Sequence, residues 1–118
     1  MSEPNFFLFY VRDLNTSCEF YEQIFERPLQ RSSDHFAMLK FSNINFGLWT
    51  AQQVDPTLDA PGGSAEMVIT LTSIAEVDQL YQQWVEKGIT IAQQPAKLSF
   101  GYSFVVTDPD GHFLRIMA

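Results

Sequence analysis

The sequence carries one pattern twice, and this internal repeat limits the chain to folds built from two similar modules. Moving the first segment forward by 60 positions aligns Val11 with Leu71 and Tyr21 with Tyr81. The other aligned pairs are Leu14 with Ile74, Phe20 with Leu80, and Phe25 with Val85. Each copy reads as a strand, a helix and then two or three strands. At 118 residues, the chain therefore forms one domain made of two small tandem units.

Module 1, residues 4–54, begins with the apolar strand 6–11. A helix follows, because apolar residues recur at helical spacing behind the capping residue Asp13 and the pattern stops at Pro28. Its apolar stripe consists of Leu14, Cys18, Tyr21 and Phe25. Two strands, 36–41 and 44–49, are expected to complete the module.

Module 2, residues 65–118, repeats this order with a strand at 66–71. Ser73 and Glu76 have the spacing of a capping box, and the helix behind them ends at Gly88, a natural left-handed cap. Strands are predicted at 89–91, 102–107 and 113–117, with a tight hairpin turn at Asp108–Gly111. The Pro- and Gly-rich residues 55–64 read as the linker between the modules.

Charge and hydropathy exclude several classes of partner. A formal net charge of -7, with seven scattered Lys and Arg residues, is unsuited to binding phosphate backbones, so we expect no nucleic-acid partner. No apolar run has the length of a membrane span, and no signal peptide pattern opens the chain, so we expect a cytoplasmic protein without a membrane partner. The lone Cys18 cannot form an internal disulfide.

Three features together resemble one known superfamily. They are the Val11-Arg12-Asp13-Leu14 entry into the first helix, the Phe20-Tyr21 pair within it, and the closing run Asp-Pro-Asp-Gly-His at 108–112. With the repeat, they resemble the vicinal oxygen chelate superfamily, which includes glyoxalase I, extradiol dioxygenases, fosfomycin resistance enzymes and bleomycin resistance proteins. The segments 46–49, 80–88 and 100–102 look most like its phenazine antibiotic resistance members.

This resemblance implies an α+β fold in which two tandem βαβββ modules form a curled mixed sheet around a cavity. It also implies a homodimer, often with modules exchanged between chains. Enzymes of the superfamily hold a divalent metal at four strand positions, which correspond here to Phe6, Gly47, Glu66 and Arg115. Three of these cannot ligate a cation, so we expect no metal and no other cofactor. The histidines His35 and His112 follow no ligand motif, and we expect both to be exposed or structurally satisfied.

Alternation along the strands assigns side chains to the cavity, since neighbours point to opposite faces. The candidate ligand-binding residues are Trp49, Phe6, Tyr10, Gly47, Glu66, Phe100, Tyr102 and Arg115. Trp49 is the first choice as a stacking platform, although a large aromatic residue can also simply fill a core. Gly47 is expected to leave room for a ligand, and Phe100 or Tyr102 to close on its other face. Trp84, within the helical stripe, is expected in the core.

The polar pair Glu66 and Arg115 has two readings. The two side chains either bind each other across adjacent strands, or Arg115 clamps a ligand carboxylate while Glu66 accepts a ligand ammonium or amide.

We expect a protein that binds and sequesters a planar aromatic metabolite or antibiotic without transforming it. The alternatives are a glyoxalase- or dioxygenase-like enzyme with rearranged metal ligands, and a metal-free isomerase that uses Glu66 as its base.

Overall fold

A computed structural model describes residues 3–55 and 65–118 of the chain. The chain divides into two compact units, Met1–Pro61 and Gly62–Ala118. Each unit contains one α-helix and one four-stranded mixed sheet, which confirms the predicted α+β class. The predicted linker lies, apart from Asp55, outside the described residues. The two units are termed module 1 and module 2 below.

Module 1 is a helix packed on a sheet in which the first strand pairs with the last. Its elements are β1 (Phe6–Val11), α1 (Leu14–Phe25), β2 (Gln30–Arg31), β3 (Phe36–Lys40) and β4 (Asn45–Thr50), followed by a 3-10 turn at Ala51–Gln53. The strand order is β1-β4-β3-β2, with β1 and β4 parallel and the other pairs antiparallel. The helix provides part of the long connection that a parallel pair requires.

Helix α1 begins where the sequence predicts and packs an apolar stripe against the sheet. The Asp13 carboxylate accepts a hydrogen bond from the backbone N–H of Thr16 at 3.1 Å, which satisfies one free donor of the first turn. The left-handed backbone of Glu26 ends the helix. Tyr21 is fully buried, with its ring centroid 4.9 Å from that of Phe46. The rings of Phe9 and Phe25 also contact Tyr21, so a cluster of aromatic side chains lies between α1 and the sheet.

Module 2 has the same topology. Its elements are β5 (Glu66–Thr70), α2 (Ile74–Glu86), β6 (Ile91–Leu98), β7 (Gly101–Thr107) and β8 (Phe113–Met117). The strand order is β5-β8-β7-β6, with β5 and β8 parallel and the other pairs antiparallel. The repeat seen in the sequence is therefore a repeat of topology, strand for strand.

Helix α2 confirms its predicted start and end signals. The Ser73 hydroxyl accepts the backbone N–H of Glu76 at 3.2 Å, and Gly88 takes a positive φ of 76° just past the helix end. Trp84 is 2% exposed and packs edge-on against Phe104 at 5.6 Å, so its predicted core position is confirmed. Within the described ranges, neither helix is long and apolar enough to span a membrane.

Strand β6 differs most from the sequence-based expectation. The predicted strand at 89–91 overlaps the observed strand only at Ile91, because β6 runs from Ile91 to Leu98. The segment is polar and contains Pro95, and both features are unusual in a strand. β6 lies at the edge of its sheet and pairs with β7 through register shifts, so a residue without an N–H is tolerated there. The two-residue strand β2 was also not predicted.

The turn between β7 and β8 is organised by one buried carboxylate. Asp108 is 4% exposed and accepts hydrogen bonds from the backbone N–H groups of Asp110 at 2.9 Å and His112 at 2.8 Å. Its second oxygen binds Nδ1 of His112 at 2.6 Å. This hydrogen bond raises the pKa of His112 above its ordinary value of 6.5, against the opposing effect of burial. The expectation that His112 is structurally satisfied is confirmed.

The raised pKa of His112 makes stability depend on pH. The protonated ring stabilises the fold fully below the unfolded-state pKa of 6.5, and this stabilisation is lost as the pH rises through the higher folded-state value. We therefore expect the difference in unfolding free energy between wild type and His112→Gln to be larger at pH 6 than at pH 9. Urea unfolding at several pH values measures it, and an NMR titration of the ring checks its pKa. A difference that grows with pH would contradict this assignment.

Candidate functional site

The module 1 sheet has one face packed on α1 and a second face rich in exposed apolar side chains. The register pairs Leu8 with Gly47 and Tyr10 with Trp49 on this second face, as the predicted alternation requires. Phe6, Leu8 and Tyr10 are 39%, 38% and 38% exposed. We call this surface the aromatic face, and its members are Phe6, Leu8, Tyr10, Phe36, Met38 and Trp49. It presents flat rings in a setting typical of ligand-binding surfaces.

Trp49 sits between two aromatic neighbours on the aromatic face. Its strand partners are Tyr10 on β1 and Phe36 on β3. The Phe36 ring meets the indole at a centroid distance of 6.3 Å and an angle of 73°, which is an edge-to-face contact. Trp49 is only partly buried and lies on the opposite side of β4 from Phe46 and Leu48, which are buried on the α1 side. Trp49 is therefore not part of the core beneath α1.

The backbone at Gly47 is covered by side chains of the same face. A Cβ atom added there would lie 2.6 Å from Cδ2 of Leu8 and 2.9 Å from Cε1 of Phe6, with Cζ of Phe36 at 3.3 Å. The space at Gly47, which was expected to be open for a ligand, is therefore filled by neighbouring side chains. Because Gly47 has no side chain, Leu8 and Phe6 lie directly over the backbone of β4, and these two residues form the surface at this point.

Module 2 carries an ion pair on the corresponding face. Nε of Arg115 donates to Glu66 Oε1 at 2.7 Å, and Nη2 donates to Glu66 Oε2 at 3.3 Å. Nη1 donates to the hydroxyl of Ser103 at 3.0 Å, and the guanidinium carbon lies 5.2 Å from the ring centroid of Phe100. Of the two readings of this pair, the structure shows the contact between the two side chains.

The structure places Tyr102 differently from the sequence-based expectation. Its hydroxyl donates to Asp78 of α2 at 2.6 Å, and this hydrogen bond raises the pKa of the Tyr102 phenol. Because side chains alternate along β7, Ser103 faces Arg115 while Tyr102 and Phe104 point toward the helix. Phe100, in the turn before β7, remains beside Arg115, whereas Tyr102 joins the helix side of the sheet.

The four residues at which the resemblance implies a metal site, Phe6, Gly47, Glu66 and Arg115, do not fit a divalent ion. Phe6 and Gly47 offer no side-chain donor atoms, and the carboxylate of Glu66 already accepts two hydrogen bonds from the cationic Arg115. Across residues 3–55 and 65–118, no three His, Cys, Asp or Glu side chains are grouped closely enough to hold a metal. His35 is exposed, as expected.

Ser103 and Phe36 are site residues that the sequence reasoning missed. Ser103 is fully buried and supports the Arg115 guanidinium, and Phe36 supports Trp49. The hairpin turn contained the signal for Ser103. It pairs Thr107 with Phe113 and therefore Val105 with Arg115. Ser103 is two positions from Val105 on the same strand, so it lies on the same face as Arg115. Alternation along β3 would likewise have assigned Phe36 to the face of Trp49.

Comparisons with known proteins agree on one superfamily. The family model described as Glyoxalase/Bleomycin resistance protein/Dioxygenase superfamily matches residues 4–116. The phenazine antibiotic resistance protein EhpR of Enterobacter agglomerans is 30% identical over 117 residues, covering 96% of this chain and 89% of that protein.

Solved structures show the same fold. Protein ATC0852 from Agrobacterium tumefaciens has a TM-score of 0.88 and 34% identity, covering 100% of this chain and 98% of that chain. A glyoxalase-related enzyme from Fulvimarina pelagi has a TM-score of 0.86 with 19% identity, covering 99% of this chain and 88% of that chain, which supports the fold alone.

The crowding at Gly47 leads to a stability test. We expect Gly47→Ala to change the unfolding free energy by less than about 1 kcal/mol, because the new methyl group displaces only the ends of the exposed Leu8 and Phe6 side chains, and alanine is favoured over glycine within a strand. The substitution should be more favourable in a Leu8→Ala background, where the nearest obstructing atom is gone. Urea unfolding of both single variants and the double variant measures this coupling. Equal effects of Gly47→Ala in the wild-type and Leu8→Ala backgrounds would contradict the packing described.

Proposed function

Since the chain belongs to the glyoxalase/bleomycin resistance/dioxygenase superfamily, we propose that it binds a planar aromatic small molecule and sequesters it without chemical change. The observation that carries this proposal is the aromatic face of module 1, where Trp49 lies between Tyr10 and Phe36 and is only partly buried. Binding would protect the cell by lowering the free concentration of a toxic metabolite or antibiotic.

Stacking suits a flat ligand on this face. An aromatic ring laid on the indole of Trp49 removes apolar surface from both partners from water, at about 25 cal/mol for each Å² buried. Pair geometry adds about 0.5–1.5 kcal/mol per aromatic contact. Because Phe36 already meets the indole edge-on, less conformational freedom of Trp49 is lost when a ligand binds.

The named relative supports a planar ligand. EhpR is described as a phenazine antibiotic resistance protein, and its similarity extends over 96% of this chain. Phenazines are flat three-ring heteroaromatics, which match the surface that Trp49 presents. This similarity favours resistance by binding as the general role.

A metal-dependent reaction has less support from the residues present. A glyoxalase- or dioxygenase-like reaction would need three or four donor side chains around one ion, and the superfamily positions provide only Glu66, which is bound to Arg115. Sequestration requires none of these donors. The same pairing is unfavourable for the alternative in which Glu66 acts as a general base, because its carboxylate is bound to the cationic Arg115.

Trp49 provides the direct test of this proposal. We expect phenazine to quench tryptophan emission with a saturable 1:1 profile, and Trp49→Ala to weaken binding at least about tenfold, since the lost stacking exceeds about 1.4 kcal/mol. Trp84, buried in module 2, remains as a fluorophore in the variant. Equilibrium dialysis would measure the affinities independently of emission.

Val85→Ala is the matched control, because Val85 is an exposed apolar residue on α2. It should bind phenazine as wild type does. Wild-type protein that binds no member of a panel of phenazines and quinones would overturn the proposal. Equal phenazine affinity in Trp49→Ala and wild type would remove Trp49 from the site.

A further inference from the structure

A lysine borders one end of the aromatic face of module 1. We infer that Lys40 makes this face prefer planar ligands that carry a carboxylate at one edge, and that the carboxylate binds at the end of β3, beyond the aromatic rings. The inference rests on the proposed function, because the rings of the ligand lie on Trp49. It adds a chemical class of ligand and names the residue that recognises it.

The register of the module 1 sheet places Lys40 on the same side as the aromatic face. Lys40 pairs with Asn45 on β4, and Asn45 pairs with Phe6 on β1. Directly paired residues point to the same side of a sheet, so these three side chains share the open side. The preceding residue of β3, Leu39, pairs with Phe46 and is buried on the α1 side.

Lys40 is the one charged side chain that the four strands of module 1 present on the open side. These strands contain no Asp or Glu, although the chain has 14 acidic residues. The other cation in the strands, Arg31, pairs with Ala37 and lies 3.7 Å from the Glu22 carboxylate of α1, so it belongs to the helix side. Among residues 3–55 and 65–118, no carboxylate forms an ion pair with Lys40. A ligand anion therefore meets an available cation here.

A flat ligand on Trp49 can extend toward Lys40 over a continuous apolar surface. Trp49 lies four residues along β4 from the strand partner of Lys40, a span of about 13 Å at about 3.3 Å per residue. Between these points, Leu8 and Phe6 cover the backbone of Gly47. A three-ring plane resting on these side chains fills much of the span. The flexible four-carbon stem of the lysine allows its ammonium group to meet a substituent on the near edge of the plane.

The residues around Lys40 add hydrogen-bond donors and positive charge to this end of the sheet. The amide of Asn45, a partly buried residue, offers two N–H donors to a carboxylate. From the α1 side, Nη2 of Arg27 donates to the backbone carbonyl of Lys40 at 2.7 Å, which anchors the end of β3 and adds a second cation nearby. The open side thus changes from aromatic rings at Trp49 to polar donors at Lys40, which suits a flat ring system with one anionic edge.

The expected effect is modest because Lys40 is exposed. Ion pairs in contact with water contribute little to affinity, and salt weakens them further. The net charge of -7 also opposes the approach of any anion. The contribution of Lys40 is therefore best measured as a ratio between two ligands of the same shape, compared among variants of equal net charge.

Phenazine-1-carboxylate and phenazine-1-carboxamide are the two probes. They share one ring plane and nearly the same size, and they differ by one negative charge at neutral pH. We expect wild-type protein to bind the carboxylate at least about threefold more tightly at low salt, as one exposed charge pair allows, and the preference to shrink as salt is added. Equilibrium dialysis and tryptophan quenching give both dissociation constants.

Removing the charge of Lys40 should remove this preference. In Lys40→Met, the affinity for the carboxylate relative to the carboxamide should fall at least about threefold, whereas Lys40→Arg keeps the charge and should keep the preference. Lys87→Met is the matched control, because it removes the same charge from an exposed residue at the end of α2 and gives the same net charge. It should leave the ratio of affinities unchanged.

The outcomes separate this inference from the proposed function. If wild type binds the two probes equally, or if Lys40→Met and Lys87→Met change the ratio of affinities equally, recognition by Lys40 is overturned while ligand binding stands. If neither probe nor any other flat aromatic molecule binds the wild type, the proposed function fails and the inference fails with it. Circular dichroism and thermal unfolding of each variant confirm that the comparison is made on folded protein.

Discussion

The period-two alternation of the strands is the constraint on which the rest of this structure depends. In each module, one face of the sheet packs against the helix, through Tyr21 on Phe46 in module 1 and Trp84 on Phe104 in module 2. The other face cannot share these residues, so everything offered to a ligand comes from the alternate positions. That is why large aromatic residues occur both in the cores and on the open faces.

The two open faces use this freedom in different ways. Module 1 places rings around Trp49, and its one glycine on that face, Gly47, is covered by neighbouring side chains. Module 2 retains a cation and an anion, Arg115 and Glu66, that neutralise each other. Module 1 thus offers a stacking surface, and module 2 offers a closed ion pair. The proposed binding of a flat molecule rests on the first of these two surfaces.

Periodic segments and turn chemistry were predictable from the sequence. The strands Phe6–Val11 and Phe113–Met117 and the caps at Asp13 and Ser73 lie where local patterns place them, because apolar periodicity and capping are short-range signals. The alternation also placed Phe6, Tyr10 and Trp49 correctly on one face.

Features that depend on pairing between distant segments were not predictable. Strand β6 is polar and contains Pro95, and it forms only because β7 offers a partner at the sheet edge. Tyr102 was expected to close on a ligand, but its side chain lies on the helix side of the sheet, because its orientation depends on the register with β8 and on a hydrogen bond to Asp78. The side chains that cover Gly47 likewise come from neighbouring strands.

A phenazine titration before and after treatment with EDTA tests most directly whether these surfaces bind without an ion. We predict the same dissociation constant in both samples, whereas binding that disappears with EDTA and returns with a divalent cation would contradict the metal-free site.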